Sequence, residues 1–211
     1  MNFEKKVNEM IERLRQMGIS DENVIKAMAI VPRHYFITKG LEHQAYDEKA
    51  LPIGFGQTIS HPYTVALMTQ TLQVIKDYKI LEIGTGSGYQ AAVLCELGAQ
   101  VYSIEKVKNL GILSRNKLEK LKYHVISRIG DGSMGWPNYA PYDAIIVTAG
   151  APVAPEHLLN QLKDSGKLLI PVGGKDEQML TLYLKGNKSI KKIEIEKLKF
   201  VPLIGKEGWN N

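Results

Sequence analysis

The sequence predicts an α/β protein: a Rossmann-like, doubly wound, mostly parallel sheet of seven strands, with helices ahead of it and an antiparallel hairpin behind. Three observations carry this. Short apolar runs alternate with helical stretches between residues 79 and 175, as βαβ units require. A glycine-rich turn, GTGSG (84–88), follows the first of those runs. From residue 179 the apolar spacing changes to a period of two, the mark of strands exposed on one side.

Element by element, Phe3, Val7, Met10, Ile11, Leu14 and Met17 recur at helical spacing, and Gly18 stops that helix. Ser20 or Asp21 can cap a second helix, SDENVIKAMAIV, which must end before Pro32. Residues 32–60 read as a long irregular loop punctuated by Gly40, Pro52, Gly54 and Gly56, and loops of such length usually carry function. A helix follows from Tyr63 to about Gln73. Then come a strand KILEIG (79–84), a helix GYQAAVLCELG closed by Gly98, and a strand QVYSIE (100–105). A helix over 107–121, a strand YHVISRIG and an all-apolar strand YDAIIVTAG (142–150) continue the alternation. PEHLLNQL reads as a helix and GKLLIPV as a strand. MLTLYLKGNKSIKKIEIEKLKF folds back on itself at GNKS, and its alternation slips after Ile195, which predicts a bulge near Lys197. The whole forms one domain in three parts: 1–78, helices and a substrate loop; 79–175, a cofactor core; 176–211, the hairpin and a covering segment.

Composition narrows the class. Hydrophobic residues at 44% and charged residues at 23% describe an ordinary globular chain rather than a disordered one. The net charge of +5, from 27 basic against 22 acidic residues, reads as a solvated surface with no nucleic-acid partner. Cys95, the one cysteine, excludes an internal disulfide and a multi-cysteine metal site, so a cytoplasmic protein is expected. Within AAVLCELG it reads as a buried small hydrophobe. No apolar run approaches the ~18 residues a membrane span needs, and the N-terminus lacks the apolar core of an export signal.

In open sheets of this kind a ligand sits beyond the carboxyl ends of the strands. Gly84, Gly86 and Gly88 let the backbone turn sharply there, with Thr85 and Ser87 between them, and the following helix offers its N–H groups. A dinucleotide-binding turn would need glycine where Tyr89 stands. Glu82, two residues before the turn, would repel a pyrophosphate but favour the ammonium and sulfonium of S-adenosylmethionine. Glu105 ends the next strand, placed to accept hydrogen bonds from ribose hydroxyls. Asp131 in GDGS, with Gly132, follows the third strand and can accept from an adenine amine. Three acids at successive strand ends argue for this cofactor, with no metal. The run E-x-G-x-G-x-G, then Glu105, then GDG resembles the class I S-adenosylmethionine-dependent methyltransferases.

The acceptor must be read elsewhere. NYAPY (138–142) partly matches the loop of DNA amino-methyltransferases, but it precedes the fourth strand, where TAGAP (148–152) follows. The informative stretch is LPIGFGQTISHPYTVALM (51–68), where Thr58 and Ser60 set hydroxyls beside a glycine-rich turn and before a helix that Ser60 could also cap. A carboxylate acceptor suits that equipment. With a pKa near ~4 it is already ionised at neutral pH and needs placement rather than a base. An amine or hydroxyl acceptor would more often want a base, for which His61 is the nearby candidate.

VPRHYF (31–36), LPIGFGQTIS (51–60), LEIGTGSGY (81–89), GDGSMGWP (130–137), TAGAP, LIPVG (169–173) and FVPL (200–203) together resemble the protein-L-isoaspartate O-methyltransferase family over nearly the whole chain. The resemblance implies methylation of the free α-carboxylate of L-isoaspartyl residues in aged proteins and peptides, the first step of their repair. It implies that Ser60 is the active-site hydroxyl, with Thr58 beside it in the acceptor pocket. By the same resemblance Val201 would lie in a segment that covers the peptide, where backbone groups could pair with an extended substrate, and His61 is expected as a further contact. A monomer is expected, since the short N-terminus leaves little for an extra oligomerising element. The alternatives are a methyltransferase acting on nucleic acid or a small amine, and a module that binds the cofactor without turning it over.

Overall fold

A computed structural model describes residues 2–187 and 189–210. Seven strands form one sheet in the order β5-β4-β3-β6-β7-β8-β9: β3 (Lys79–Ile83), β4 (Gln100–Glu105), β5 (Val125–Ile129), β6 (Tyr142–Val147), β7 (Leu162–Gly173), β8 (Gln178–Lys185) and β9 (Ile190–Leu198). Pairing is parallel from β5 through to β7, while β8 runs antiparallel to both β7 and β9. The predicted seven-stranded, mostly parallel sheet with its antiparallel end is therefore the fold of this chain.

Alternation along the strands sends successive side chains to opposite faces. Ile80, Val101, Ala144, Ile146, Leu169, Leu180 and Leu182 face a core shared with α1 (Phe3–Gln16), α2 (Glu22–Ile30), α3 (Pro62–Leu72) and α4 (Tyr89–Glu96). Leu81, Ile83, Ile104, Ile145, Val147, Leu168 and Ile170 face a second core with Leu158 of α6 (Glu156–Asn160) and Leu203 of the C-terminal segment. Helix α5 (Lys108–Lys120) crosses between β4 and β5 and joins the first core through Leu118. No helix among the described residues is long and apolar enough to cross a membrane.

Several boundaries differ from the sequence reading, each for a local reason. Asp21 rather than Ser20 caps α2, because its Oδ1 accepts from Asn23 N at 2.9 Å and Val24 N at 3.3 Å. The stretch read as irregular contains short 3₁₀ turns at Arg33–Phe36 and Glu42–Gln44, then a hairpin of β1 (Leu51–Gly54) and β2 (Gln57–Ile59). Gly54, Phe55 and Gly56 all take positive φ at its tip, the left-handed backbone that closes such a tight turn. Strand β7 starts four residues early, at Leu162, through an irregularity in its pairing with β6. In the C-terminal hairpin Leu180 pairs with Glu196 and Thr181 with Glu194, so the extra residue is Ile195, two before the expected Lys197. Lys188 of the GNKS turn lies outside the described residues. Cys95 is half-buried rather than fully buried, and burial pushes its thiol up to about 12.

Candidate functional site

Strand order reverses at β3, which pairs with β4 on one side and β6 on the other. Just beyond the carboxyl ends of these strands lies a cavity of about 940 Å³, measured to its open mouth. In open sheets of this kind, the end of the strands where their order reverses is where ligands bind. Its walls come from distant parts of the chain: Gln57–Ser60, Gly84–Ser87, Glu105–Val107, Gly132 and Val201–Ile204. The two glycine-rich stretches singled out in the sequence therefore face one space.

The glycine turn is held in place by its backbone. Gly84, Gly86 and Gly88 take φ of 95°, 55° and 90°. A side chain at Gly84 would also put its Cβ 2.5 Å from Thr148 Oγ1, whose hydroxyl donates to the Gly84 carbonyl at 2.6 Å. Glu105, at the end of β4, accepts from Gly86 N at 2.8 Å through Oε2 and from Val107 N at 2.9 Å through Oε1. It is buried and lines the cavity, so one carboxylate both clamps the turn and faces the ligand space. Thr85 and Ser87 are wall residues too, and Ser87 Oγ accepts from Tyr89 N at the start of α4. Gly132 also belongs to the wall, packed so tightly on Ile83 that a Cβ would sit 2.5 Å from its Cγ2.

Two of the three expected acids lie elsewhere. Glu82 points away from the cavity, into the α-helical core face of β3, with no exposed surface. The Ser103 hydroxyl donates to its Oε2 and shares a 2.6 Å hydrogen bond with Thr85, while Oε1 has no partner. Burial, reinforced by the charge of Glu105, pushes this carboxyl up to about 8, so it is largely neutral at pH 7. The direct attraction for a sulfonium expected of Glu82 therefore gives way to a structural role beneath Thr85. Asp131 also misses the wall. Its Oδ1 accepts from Ser133 N and Oγ at 2.9 and 2.7 Å, and its Oδ2 from Lys206 N at 2.8 Å. Burial pushes the Asp131 carboxyl up, but hydrogen bonds from Lys206 and Ser133 outweigh this and leave it below its ordinary value. The acid expected at an adenine thus holds down the C-terminal turn, because that turn folds back over the end of β5.

Glu82 makes a pH-dependent contribution whose direction follows from this burial. Folding raises its pKa from 4.5 to about 8, so its contribution is full below 4.5 and lost progressively as pH rises to about 8. Glu82→Gln preserves the neutral shape and should remove that loss. In thermal melts from about pH 5 to 9 the variant should gain on the wild type by more than about 1 kcal/mol, or roughly 2–4 °C for a chain of this size. Parallel pH profiles for the two proteins would show that Glu82 is not neutral in the fold.

The acceptor wall departs from the sequence reading in one instructive way. The cap of α3 is His61, whose Nδ1 accepts from Tyr63 N at 2.9 Å, and not Ser60. That use of the ring, together with burial that lowers its pKa, leaves His61 a neutral capping group outside the cavity wall. Ser60 is freed from capping, lines the cavity beside Thr58, and offers its carbonyl to Arg33 Nη2 at 2.6 Å. Val201 also lines the cavity, but its carbonyl is taken by Gly150 N at 2.8 Å. Residues that the motif reading left without a role are Arg33, Ser103 and Thr148. Arg33 and Thr148 stand inside the quoted VPRHYF and TAGAP stretches, and nothing local marked Ser103.

The profile of the protein-L-isoaspartate (D-aspartate) O-methyltransferases matches residues 5–208. The chain belongs to this family. Among protein-L-isoaspartate O-methyltransferases, one from Syntrophobacter fumaroxidans is 49% identical over 211 residues, covering 99% of both chains. Another from Pelodictyon phaeoclathratiforme is 48% identical over 204 residues, covering 96% of this chain and 93% of its own. A solved structure named protein-L-isoaspartate O-methyltransferase superposes with a TM-score of 0.86 at 29% identity, over 96% of this chain and 67% of that one. A putative family member from Plasmodium falciparum, solved in complex with S-adenosyl-L-homocysteine, does so at 0.81 and 26%, over 93% and 97%.

Proposed function

We infer that this protein transfers a methyl group from S-adenosylmethionine to the free carboxylate of L-isoaspartyl residues in damaged proteins and peptides, and so starts their repair. One observation carries the site reading: the glycine turn and the GQTIS hairpin are two walls of a single cavity. The fit to the cofactor rests on the cradle itself, since positive-φ glycines and the close Gly84–Thr148 and Gly132–Ile83 approaches leave backbone, not side chain, against the ligand space. Gly84–Ser87, Glu105 and Gly132 would hold the adenosyl group and amino-acid tail, with Glu105 accepting from the ribose hydroxyls. Bound there, S-adenosylmethionine supplies an electrophilic methyl group on a positively charged sulfur.

This chain's own residues then have a modest task. An isoaspartyl carboxylate is ionised at neutral pH, so no general base is required, consistent with His61 being committed to the helix cap. Thr58 and Ser60 are placed to donate to one carboxylate oxygen and leave the other free to attack in line. Val201–Ile204 close the far wall and restrict water. A cytoplasmic monomer that uses no metal and binds neither nucleic acid nor membrane forms part of the same proposal, with the lone Cys95 and the near-balanced surface charge in its support.

The test compares matched peptides that differ in one linkage. With labelled S-adenosylmethionine, the isoaspartyl peptide should be methylated at least about a hundredfold more efficiently than the aspartyl peptide, a discrimination of roughly 2.7 kcal/mol. Equal labelling of the two, or of neither, would overturn the assignment.

A further inference from the structure

Arg33 heads the large fully buried side chains among the described residues, with no exposed surface. Its guanidinium donates from Nε to the Ala45 carbonyl at 2.7 Å and from Nη2 to the Ser60 carbonyl at 2.6 Å. Its Cζ lies 4.7 Å from the centre of the Tyr89 ring, and Tyr89 lines the cavity. The third nitrogen, Nη1, and the Tyr89 hydroxyl are both buried; they lie near each other without a well-formed hydrogen bond, and the neutral phenol supplies no countercharge. No carboxylate among the described residues pairs with Arg33. Glu48, on the neighbouring loop, is taken by Arg13 at 2.7 Å.

A buried cation without a counterion is costly, and apolar packing of the same volume would often serve stability as well or better. Burial lowers the Arg33 guanidinium only to about 10, so it remains charged at neutral pH. Its two backbone bonds could be made by a neutral group, and they do not account for the charge. What distinguishes the position is its neighbour: the cation sits directly behind the peptide of Ser60, on the acceptor wall. In a site of low polarity a fixed charge acts over several ångströms and needs no contact to do so.

We propose that Arg33 is a positioning residue for the acceptor: it fixes the Ser60 loop, and its unpaired charge holds the substrate carboxylate in the cavity, the substrate serving as its counterion. This rests on the carboxylate-methylating reading above. Arg33 touches no reacting atom, and its charge acts on the bound acid. Methyl transfer neutralises that acid, so the same field should hold the methyl-ester product far less strongly. It should therefore show in KM more than in kcat, and should help product leave.

The experiment compares wild type, Arg33→Met and Arg33→Lys, using an isoaspartyl peptide and its methyl ester. Binding of each peptide is measured by calorimetry in the presence of S-adenosylhomocysteine, alongside steady-state kinetics. Arg33→Met should weaken the acid peptide at least tenfold and the ester less than twofold, raise KM at least tenfold and change kcat less than threefold. Arg33→Lys should bring acid binding back to within about threefold of wild type, and should hold S-adenosylhomocysteine as wild type does. Should Arg33→Met not fold, Arg33→Gln takes its place with the same expectation. Equal weakening of acid and ester would reduce Arg33 to a scaffold for the loop, and unchanged acid binding in a neutral variant would remove it from recognition. If the wild-type protein methylates no isoaspartyl peptide, the failure belongs to the functional reading beneath.

Discussion

Ser60→Ala should lower kcat for isoaspartyl methylation by about a hundredfold or more, while S-adenosylhomocysteine affinity changes less than about twofold. The separation follows from how Ser60 is held. Its carbonyl bond to Arg33 survives the substitution, and the cap of α3 belongs to His61, so neither the loop nor the helix loses an anchor. What disappears is one hydroxyl of a residue that lines the same cavity as the glycine turn. A carboxylate has two equivalent oxygens, and a donor that engages one sets the direction of the other. Without it the acid still enters but spends less time aligned, which lowers turnover rather than cofactor binding. Steady-state kinetics and calorimetry on the same preparation decide the matter, and an unchanged kcat would strip Ser60 of this role.

Glu105→Ala should have the opposite signature, weakening S-adenosylhomocysteine by roughly ten- to a hundredfold with little effect on kcat at saturating cofactor. Two losses combine. The ribose would lose a charged acceptor, and hydrogen bonds to charged groups are worth about 1.5–3 kcal/mol each. The glycine turn would also lose its clamp at Gly86 N, and Val107 N its partner. Glu105→Gln should fall between, because its amide keeps one accepting oxygen and surrenders the charge. Calorimetric titration with S-adenosylhomocysteine reads this directly, and wild-type affinity in Glu105→Ala would refute the ribose assignment.

The contrast among the acids explains how far a linear reading carries. Glu82, Glu105 and Asp131 all stand at or beside strand ends, and the sequence presents them as equivalent. Glu82 and Glu105 lie on the same face of the sheet, Glu82 level with Ser103 and Glu105 two residues further along at the strand's very end, so position along the strand decides whether an acid meets core or cavity. Glu82 shares a face with Ile80 and is buried; Glu105 reaches the cavity. Asp131 is decided by residues 75 positions away, where Lys206 N arrives to take its free oxygen. The hairpin at 51–59 was missed for a related reason, since two strands of four and three residues show too little periodicity beside so many glycines.

The chain order of the seven sheet strands and their helices, and the glycine turn, are legible in the chain itself. Each depends on interactions among near neighbours: period, caps and positive-φ glycine. Which acid faces the cavity, which residue caps α3 and what stands behind Ser60 are settled only when distant segments meet. The 2.6 Å bond from Arg33 to Ser60 spans 27 residues, and the burial that leaves its charge unpaired comes from Ala45, Tyr89 and the first core together. Burial and the identity of a partner are properties of packing, and no spacing in the sequence encodes them.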